Sequence, residues 1–304
     1  MIIPIANPIY DSVFKYLMDD ERIARTILSA LLKKEVVEVT MRPHEYPNVT
    51  KDQLTMFRID FAAKVREENG EEKTILIELQ KTWLNTETLR FRQYLGAQYA
   101  SKINIRRESP QGFAYPMVAI YLLGHRVGDV EAPVVYVRRD VTDYDGRKLT
   151  QGLPDPFIDS LTHESIIVQI PLIKSKPGSR LDSVLSLFDQ TKRSATDNQV
   201  LDIDGESYAA DSDMMRIVLR LTAAAASAEM RQDMNVEEEF FSTIDDCETR
   251  LLEKDRQLEQ KDLQLEEKDL QIAAQSAQLE ALKRSLSTKG FSDDEIAAML
   301  SAAK

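Results

Sequence analysis

Asp60, Glu78 and Gln80 are the residues of this sequence whose types and spacing can do chemistry. They lie in the stretch from Met56 to Trp83, MFRIDFAAKVREENGEEKTILIELQKTW, where two alternating runs flank a polar turn containing Asn69 and Gly70. In the first run Phe57, Ile59, Phe61, Ala63 and Val65 fall on one face, and Arg58, Asp60, Ala62 and Lys64 on the other. In the second, Ile75, Ile77 and Leu79 oppose Thr74, Leu76, Glu78 and Gln80. A two-residue Asn-Gly turn would set the apolar face of one strand against the polar face of the other, which the period-two rule forbids where one face is buried. A three-residue loop of Glu68, Asn69 and a left-handed Gly70 instead brings Phe61 opposite Ile77 and Asp60 opposite Glu78. Cross-strand neighbours stand about 5 Å apart at Cβ, so the two carboxylates can share a divalent cation. Like charges so placed are otherwise destabilising. The plainer alternative is two solvated acids on an exposed sheet face, offset by Arg58 or Lys64.

The neighbouring segments must hold this hairpin. Asn7-Pro8-Ile9-Tyr10 leads into a helix to about Leu17 with Ile9, Val13, Tyr16 and Leu17 in a stripe, and Asp11 and Lys15 four apart on another face. Asp20-Glu21 starts a second helix through Leu32, and Glu35 to Met41 reads as a strand. The loop from Arg42 to Leu54 contains His44, which lacks metal-ligand spacing to His125 or His163. Beyond Trp83 a long helix is expected from about Glu87 to Arg107, with Phe91, Leu95, Tyr99 and Ile103 as its buried stripe. Arg90, Arg92, Lys102, Arg106 and Arg107 make it basic, with Tyr94 on the face of Arg90. Such a helix can neutralise phosphates, or it can simply be solvated. Met117 to Leu123 reads as a central strand, Val134 to Val141 and Ser165 to Leu172 as further strands, and Leu181 to Phe188 and Met214 to Ala228 as helices. This order predicts an α/β fold with a mixed β-sheet flanked by helices.

The net charge of −12 is unevenly distributed: residues 1–200 carry 27 Lys+Arg and 27 Asp+Glu, whereas 201–250 carry 4 against 13. The acidity therefore belongs to the tail, and the overall balance does not argue against an anionic partner for the rest. A single cysteine, Cys247, excludes an internal disulfide and suits a reducing cytoplasm, and no apolar run reaches membrane length. From Glu237-Glu238-Glu239 the character changes. Leu251, Leu258, Leu265, Ile272, Leu279 and Leu286 recur every seven residues, while the other seam position holds Lys254, Lys261, Lys268, Gln275 and only then Leu282. That pattern predicts a heptad helix over 249–288 that self-associates weakly, if at all. Ser292 and Glu295 form a capping-box signature for a short last helix, Asp293 to Ala303.

As a combination, Asn7-Pro8, Asp11, Phe14-Lys15, Arg58-Ile59-Asp60, Ile77-Glu78-Leu79-Gln80 and Arg92-Gln93-Tyr94 resemble the PD-(D/E)xK nuclease superfamily. More narrowly, the chain resembles the Rpn family of recombination-promoting nucleases and transposase-like proteins, over about the first 180 residues and in the short last helix. It departs from the superfamily pattern in having no proline before Asp60 and in having Gln80 where lysine is expected. The resemblance implies a restriction-endonuclease-like core, placed over 1–232; the pattern of the tail adds an acidic connector at 233–248, the heptad helix at 249–288 and a short helix at 289–304. The resemblance further implies a Mg²⁺- or Mn²⁺-dependent DNA endonuclease linked to recombination or transposition. Asp60, Glu78 and the Leu79 carbonyl would hold the metal, and Gln80 would position water. Asp11, Lys15 and Lys64 would be auxiliary, with Lys64 or Lys81 standing in for the missing motif lysine, and Arg90, Arg92, Tyr94 and Lys102 would contact DNA. The rival expectation is a catalytically inactive DNA-binding or oligomerising adaptor on the same fold.

Overall fold

The computed structural model describes residues 1–42, 56–82, 88–106, 111–176 and 178–290, together with Ser292 and Asp294. Two compact units divide the chain, Met1–Phe240 and Phe241–Lys304.

The first unit opens with β1 (Ile2–Ala6), α1 (Asp11–Met18), α2 (Glu21–Leu32) and β2 (Glu35–Arg42). Asp20 caps α2 by accepting from the backbone amides of Arg22 and Ile23, and the helix stops where Lys33 turns left-handed at φ 55°. The hairpin follows as β3 (Met56–Arg66) and β4 (Glu72–Thr82), then α3 (Thr88–Ala100) and β5 (Met117–Leu123). After β6 (Val134–Val137) come α4 (Pro156–Leu161), β7 (His163–Gln169), α5 (Arg180–Ser186), β8 (Val200–Asp204), α6 (Ser212–Ala226) and α7 (Ala228–Thr288).

Six strands form one mixed sheet in the order β2-β3-β4-β5-β7-β6, and β1 pairs with β8 in a separate antiparallel ribbon. β2, β3 and β4 are antiparallel neighbours; β4, β5 and β7 run parallel; β6 returns antiparallel at the far edge. The fold is thus α/β, with helices flanking a mixed sheet. β4 lies between β3 and β5 and is buried continuously from Ile75 to Thr82, as a strand covered on both faces must be. Phe61, Ala63, Val65, Ile75, Ile77 and Leu79 form its core face with the apolar sides of α1 and α2, including Phe14, Leu17, Ile23 and Leu28. Across the sheet the Tyr136 hydroxyl of β6 donates to the Leu31 carbonyl at 2.9 Å.

The hairpin has the expected register, with Asp60 opposite Glu78 and Phe61 opposite Ile77. Its turn closes with the Glu67 amide on the Glu71 carbonyl at 2.8 Å, and Gly70 has φ 83°. Several boundaries differ from the sequence reading. α3 stops at Ala100 rather than near Arg107, because the Asn104 side-chain amide takes the Gln98 carbonyl at 2.8 Å and a short 3₁₀ turn follows. Its expected buried stripe is not one: Tyr99 and Ile103 are exposed, and Phe91 is half-buried against Tyr121 at 4.8 Å between ring centres. β6 ends at Val137, and the following Arg138 turns to Glu164 at 2.9 Å. α4 was not anticipated; Asp155 caps it and Pro156 supplies its first residue. The β1–β8 ribbon was not anticipated.

In the second unit the helix begun at Ala228 continues to Thr288, with Leu258, Leu265, Ile272 and Leu279 all exposed. The expected last helix, Asp293 to Ala303, lies largely outside the described residues.

Candidate metal centre on the central hairpin

Alternation along β3 and β4 puts Asp60, Glu78 and Gln80 on the sheet face opposite the α1–α2 core. Register extends the row at Asp60 in both directions: Arg42 of β2 pairs with Asp60, Glu78 with Ala119 of β5, and Ala119 with Ser165 of β7. A cation, two carboxylates and two small residues therefore run across five strands on one face. Asp60 is 8 % exposed, Glu78 1 % and Gln80 not at all.

These polar groups are organised by amides. Gln80 donates from Nε2 to Glu78 Oε1 at 2.9 Å, whereas Gln80 Oε1 is buried without a hydrogen-bond partner. From α3, Gln98 donates from Nε2 to Asp60 Oδ2 at 2.6 Å, and its Oε1 accepts from Asn104 Nδ2 at 2.8 Å. Asn104 in turn accepts from the Arg42 guanidinium. Tyr121 pairs in register with Gln80, and its hydroxyl pKa is pushed up to about 12, first by burial and then by the nearby Glu78 charge. Further along the same face, Tyr99 Oη and His163 Nδ1 share a hydrogen bond of 2.7 Å; burial holds the imidazole pKa below its ordinary value, and Arg139 adds to that effect.

The donor set is two carboxylates plus an amide oxygen with no other partner, which suits a hard, oxygen-seeking divalent cation. Among the described residues no cluster of three or more His, Cys, Asp or Glu side chains can hold a metal, so a cation here would need neutral oxygens as well. Leu79, whose carbonyl was expected to be one of them, turns its fully buried side chain to the opposite face of β4.

The auxiliary residues divide between locations. Lys81 is adjacent to Gln80 in sequence and therefore on the other face, where its fully buried ammonium lies 2.5 Å from Asp11 Oδ1, bonds the Ile9 carbonyl and sits 5.9 Å from the Phe14 ring centre. It cannot substitute for a lysine beside Glu78, because a one-residue step along a strand reverses the face. Asp11 likewise belongs to this opposite side, and Lys15 is exposed on α1. Lys64 shares the Asp60 face but lies four residues along β3, about 13 Å away, and pairs with Glu38 at 3.1 Å. Asp11 thus pairs with Lys81, seventy residues away, rather than within its own helix.

The Asp11 end of α1 meets a second acid. Glu237, from α7, accepts from the backbone amides of Asp11 at 2.5 Å and Ser12 at 2.8 Å, and thus caps α1 from a distant part of the chain. Burial raises its carboxyl pKa; the Ser12 hydrogen bonds and Lys81 oppose that shift, and Asp11 reinforces it.

Of the expected DNA-contact residues, Arg92 and Lys102 are exposed and Tyr94 is half-buried; the Arg90 side chain lies outside the described residues. Arg106 is half-buried over the Tyr115 ring at 5.8 Å. Sequence reading missed Arg42, Gln98, Asn104 and Tyr121. Arg42 was legible only through the β2–β3 register, because the strand was taken to end one residue earlier.

No protein-family model, curated protein or solved structure matches this chain. No helix among the described residues is long and apolar enough to cross a membrane.

Proposed function

We propose that this protein is a Mg²⁺-dependent DNA endonuclease on a PD-(D/E)xK core, serving recombination or transposition as the resemblance to the Rpn family suggests. The observation that carries this reading is the buried, direct opposition of Asp60 and Glu78, with the unpartnered Gln80 Oε1 beside them. Burying two carboxylates side by side is costly unless a cation or proton lies between them. Asp60 and Glu78 would hold Mg²⁺ or Mn²⁺, with the Leu79 carbonyl as a further oxygen. When bound, such a cation supplies Lewis acidity, activating water near neutral pH and offsetting charge on a phosphate. Gln80 fixes the Glu78 carboxylate through its amide nitrogen and presents its amide oxygen to orient water. Arg92, Lys102 and Tyr94, beside Arg90, supply a surface for the DNA backbone.

One observation favours a second reading, a non-catalytic DNA-binding protein or adaptor on the same fold. The carboxylates and Gln80 are nearly closed from solvent, and Gln98 already occupies Asp60 Oδ2. Nicking of supercoiled plasmid separates the two. Cleavage by wild type with Mg²⁺, abolished by EDTA and by Asp60→Ala, supports the endonuclease. DNA binding without cleavage over a range of metals, salts and substrates supports the second reading.

A further inference from the structure

An incoming phosphodiester brings a negative charge to this centre, and Gln80, which stands where lysine is expected, is neutral. A fixed cation must stand on the same sheet face, close to Asp60. Lys81 faces the opposite side, Lys64 is bound to Glu38 well along the strand, and Arg58 shares the face but its side chain lies outside the described residues. Arg42 satisfies both conditions. It is the direct cross-strand partner of Asp60, one strand spacing of about 4.8 Å away, on the opposite side of Asp60 from Glu78. It lies at the end of the edge strand β2 and is half-buried.

We propose that Arg42 is the substrate-phosphate anchor of this centre, held in place by the Asn104–Gln98 relay that ends on Asp60. The inference rests on the endonuclease reading and names the residue that binds its substrate. A guanidinium presents a planar fork of donors that matches phosphate oxygens, and it keeps its charge at every relevant pH. Its hydrogen bond to Asn104 Oδ1 uses one arm of that fork and sets its direction. Asn104 is itself 3 % exposed and fixed by Nδ2 to both the backbone carbonyl and the side chain of Gln98, each at 2.8 Å. The same Gln98 bonds Asp60 Oδ2, so the groups that bind phosphate and cation share one amide.

The test uses the full-length protein, Mn²⁺ titration for the cation, and a labelled DNA duplex with Ca²⁺ across a salt series. Arg42→Ala is expected to weaken DNA binding about ten- to a hundredfold, as loss of a charged hydrogen bond to phosphate should. It is also expected to lower the slope of log affinity against log salt by about one, with Mn²⁺ affinity unchanged and a small fall in melting temperature as the buried Asn104 Oδ1 loses its donor. Arg42→Lys should restore the salt slope and only part of the affinity. An Arg42→Ala protein that matches wild type in affinity and slope overturns the assignment. So does one that loses Mn²⁺ affinity together with DNA binding, since Arg42 would then serve the carboxylate centre through Asn104 and not the phosphate. A wild-type protein that binds neither Mn²⁺ nor DNA overturns the endonuclease reading and this inference with it, a result distinct from failure of Arg42 alone.

Discussion

Gln98 donates its side-chain amide to Asp60 Oδ2 at 2.6 Å, so a neutral donor from α3 sits on one of two opposed buried carboxylates. Asp60→Asn removes one charge of the pair while keeping a hydrogen-bonding side chain opposite Glu78. The same variant should lose the rise in melting temperature that wild type shows with Mg²⁺ or Mn²⁺. Thermal melts of both proteins with EDTA and with each metal check this; an unchanged wild-type melt in metal would count against the centre.

Lys81 contributes to the fold from the other side of the same strand. Lys81→Met removes the cation facing Asp11 and the donor to the Ile9 carbonyl, leaving a half-buried carboxylate without its partner. The expected loss is about 3–5 kcal/mol, the range for breaking a buried pair from one side. Lys81→Met combined with Asp11→Asn should recover part of it. Urea titrations give the coupling, and Mn²⁺ affinity of whatever remains folded should be unchanged.

His163 should give stability a pH dependence. Burial, reinforced by Arg139, depresses its folded pKa below the ordinary 6.5, so the unfolded chain binds the proton more readily. This contribution to stability is fully present above pH 6.5 and is lost as pH falls through the window beneath it. Urea midpoints measured from about pH 8 to about pH 5 should fall less for His163→Gln than for wild type. Equal slopes would refute the assignment.

Asp20 joins two helices. It caps α2 and accepts from Arg216 of α6 through Nε at 3.0 Å and Nη2 at 2.7 Å. Asp20→Ala should cost about 1–2 kcal/mol from the cap and the charged hydrogen bonds together. Asp20→Asn, which can keep the cap, should cost less.

The heptads of the second unit permit a gain-of-association test. Exposed Leu258, Leu265, Ile272 and Leu279 form one apolar seam, and the companion position is mostly lysine. Replacing Lys261 and Lys268 with leucine is expected to tighten self-association at least tenfold in sedimentation equilibrium, because each buried leucine adds apolar area to the seam. Unchanged association would mean that this helix does not pair through that face.

The sequence made local and repeating features legible. The hairpin register followed from alternation plus one glycine, and β5 from an unbroken apolar run; both required only near neighbours. What escaped was set by long-range partners. Arg42 acquires meaning only from its pairing with Asp60, Lys81 only from α1, and Gln98 only because Asn104 ends α3 early enough to hold it there. The apolar spacing in α3 promised a buried stripe, yet the face it covers is polar, and tertiary context overrode periodicity.

The ribbon of β1 with β8 imposes an order on biosynthesis. Ile2 pairs with Asp204, so once made, β1 has no partner until about two hundred further residues have been added. At about 5–20 residues per second that is a wait of roughly ten to forty seconds. During it, the isoleucines of β1 and an open strand edge are available to other nascent chains or to chaperones. A polysome crowded with this message is where the protein is most exposed to misassembly, and arrest of translation before residue 200 would leave that edge uncovered.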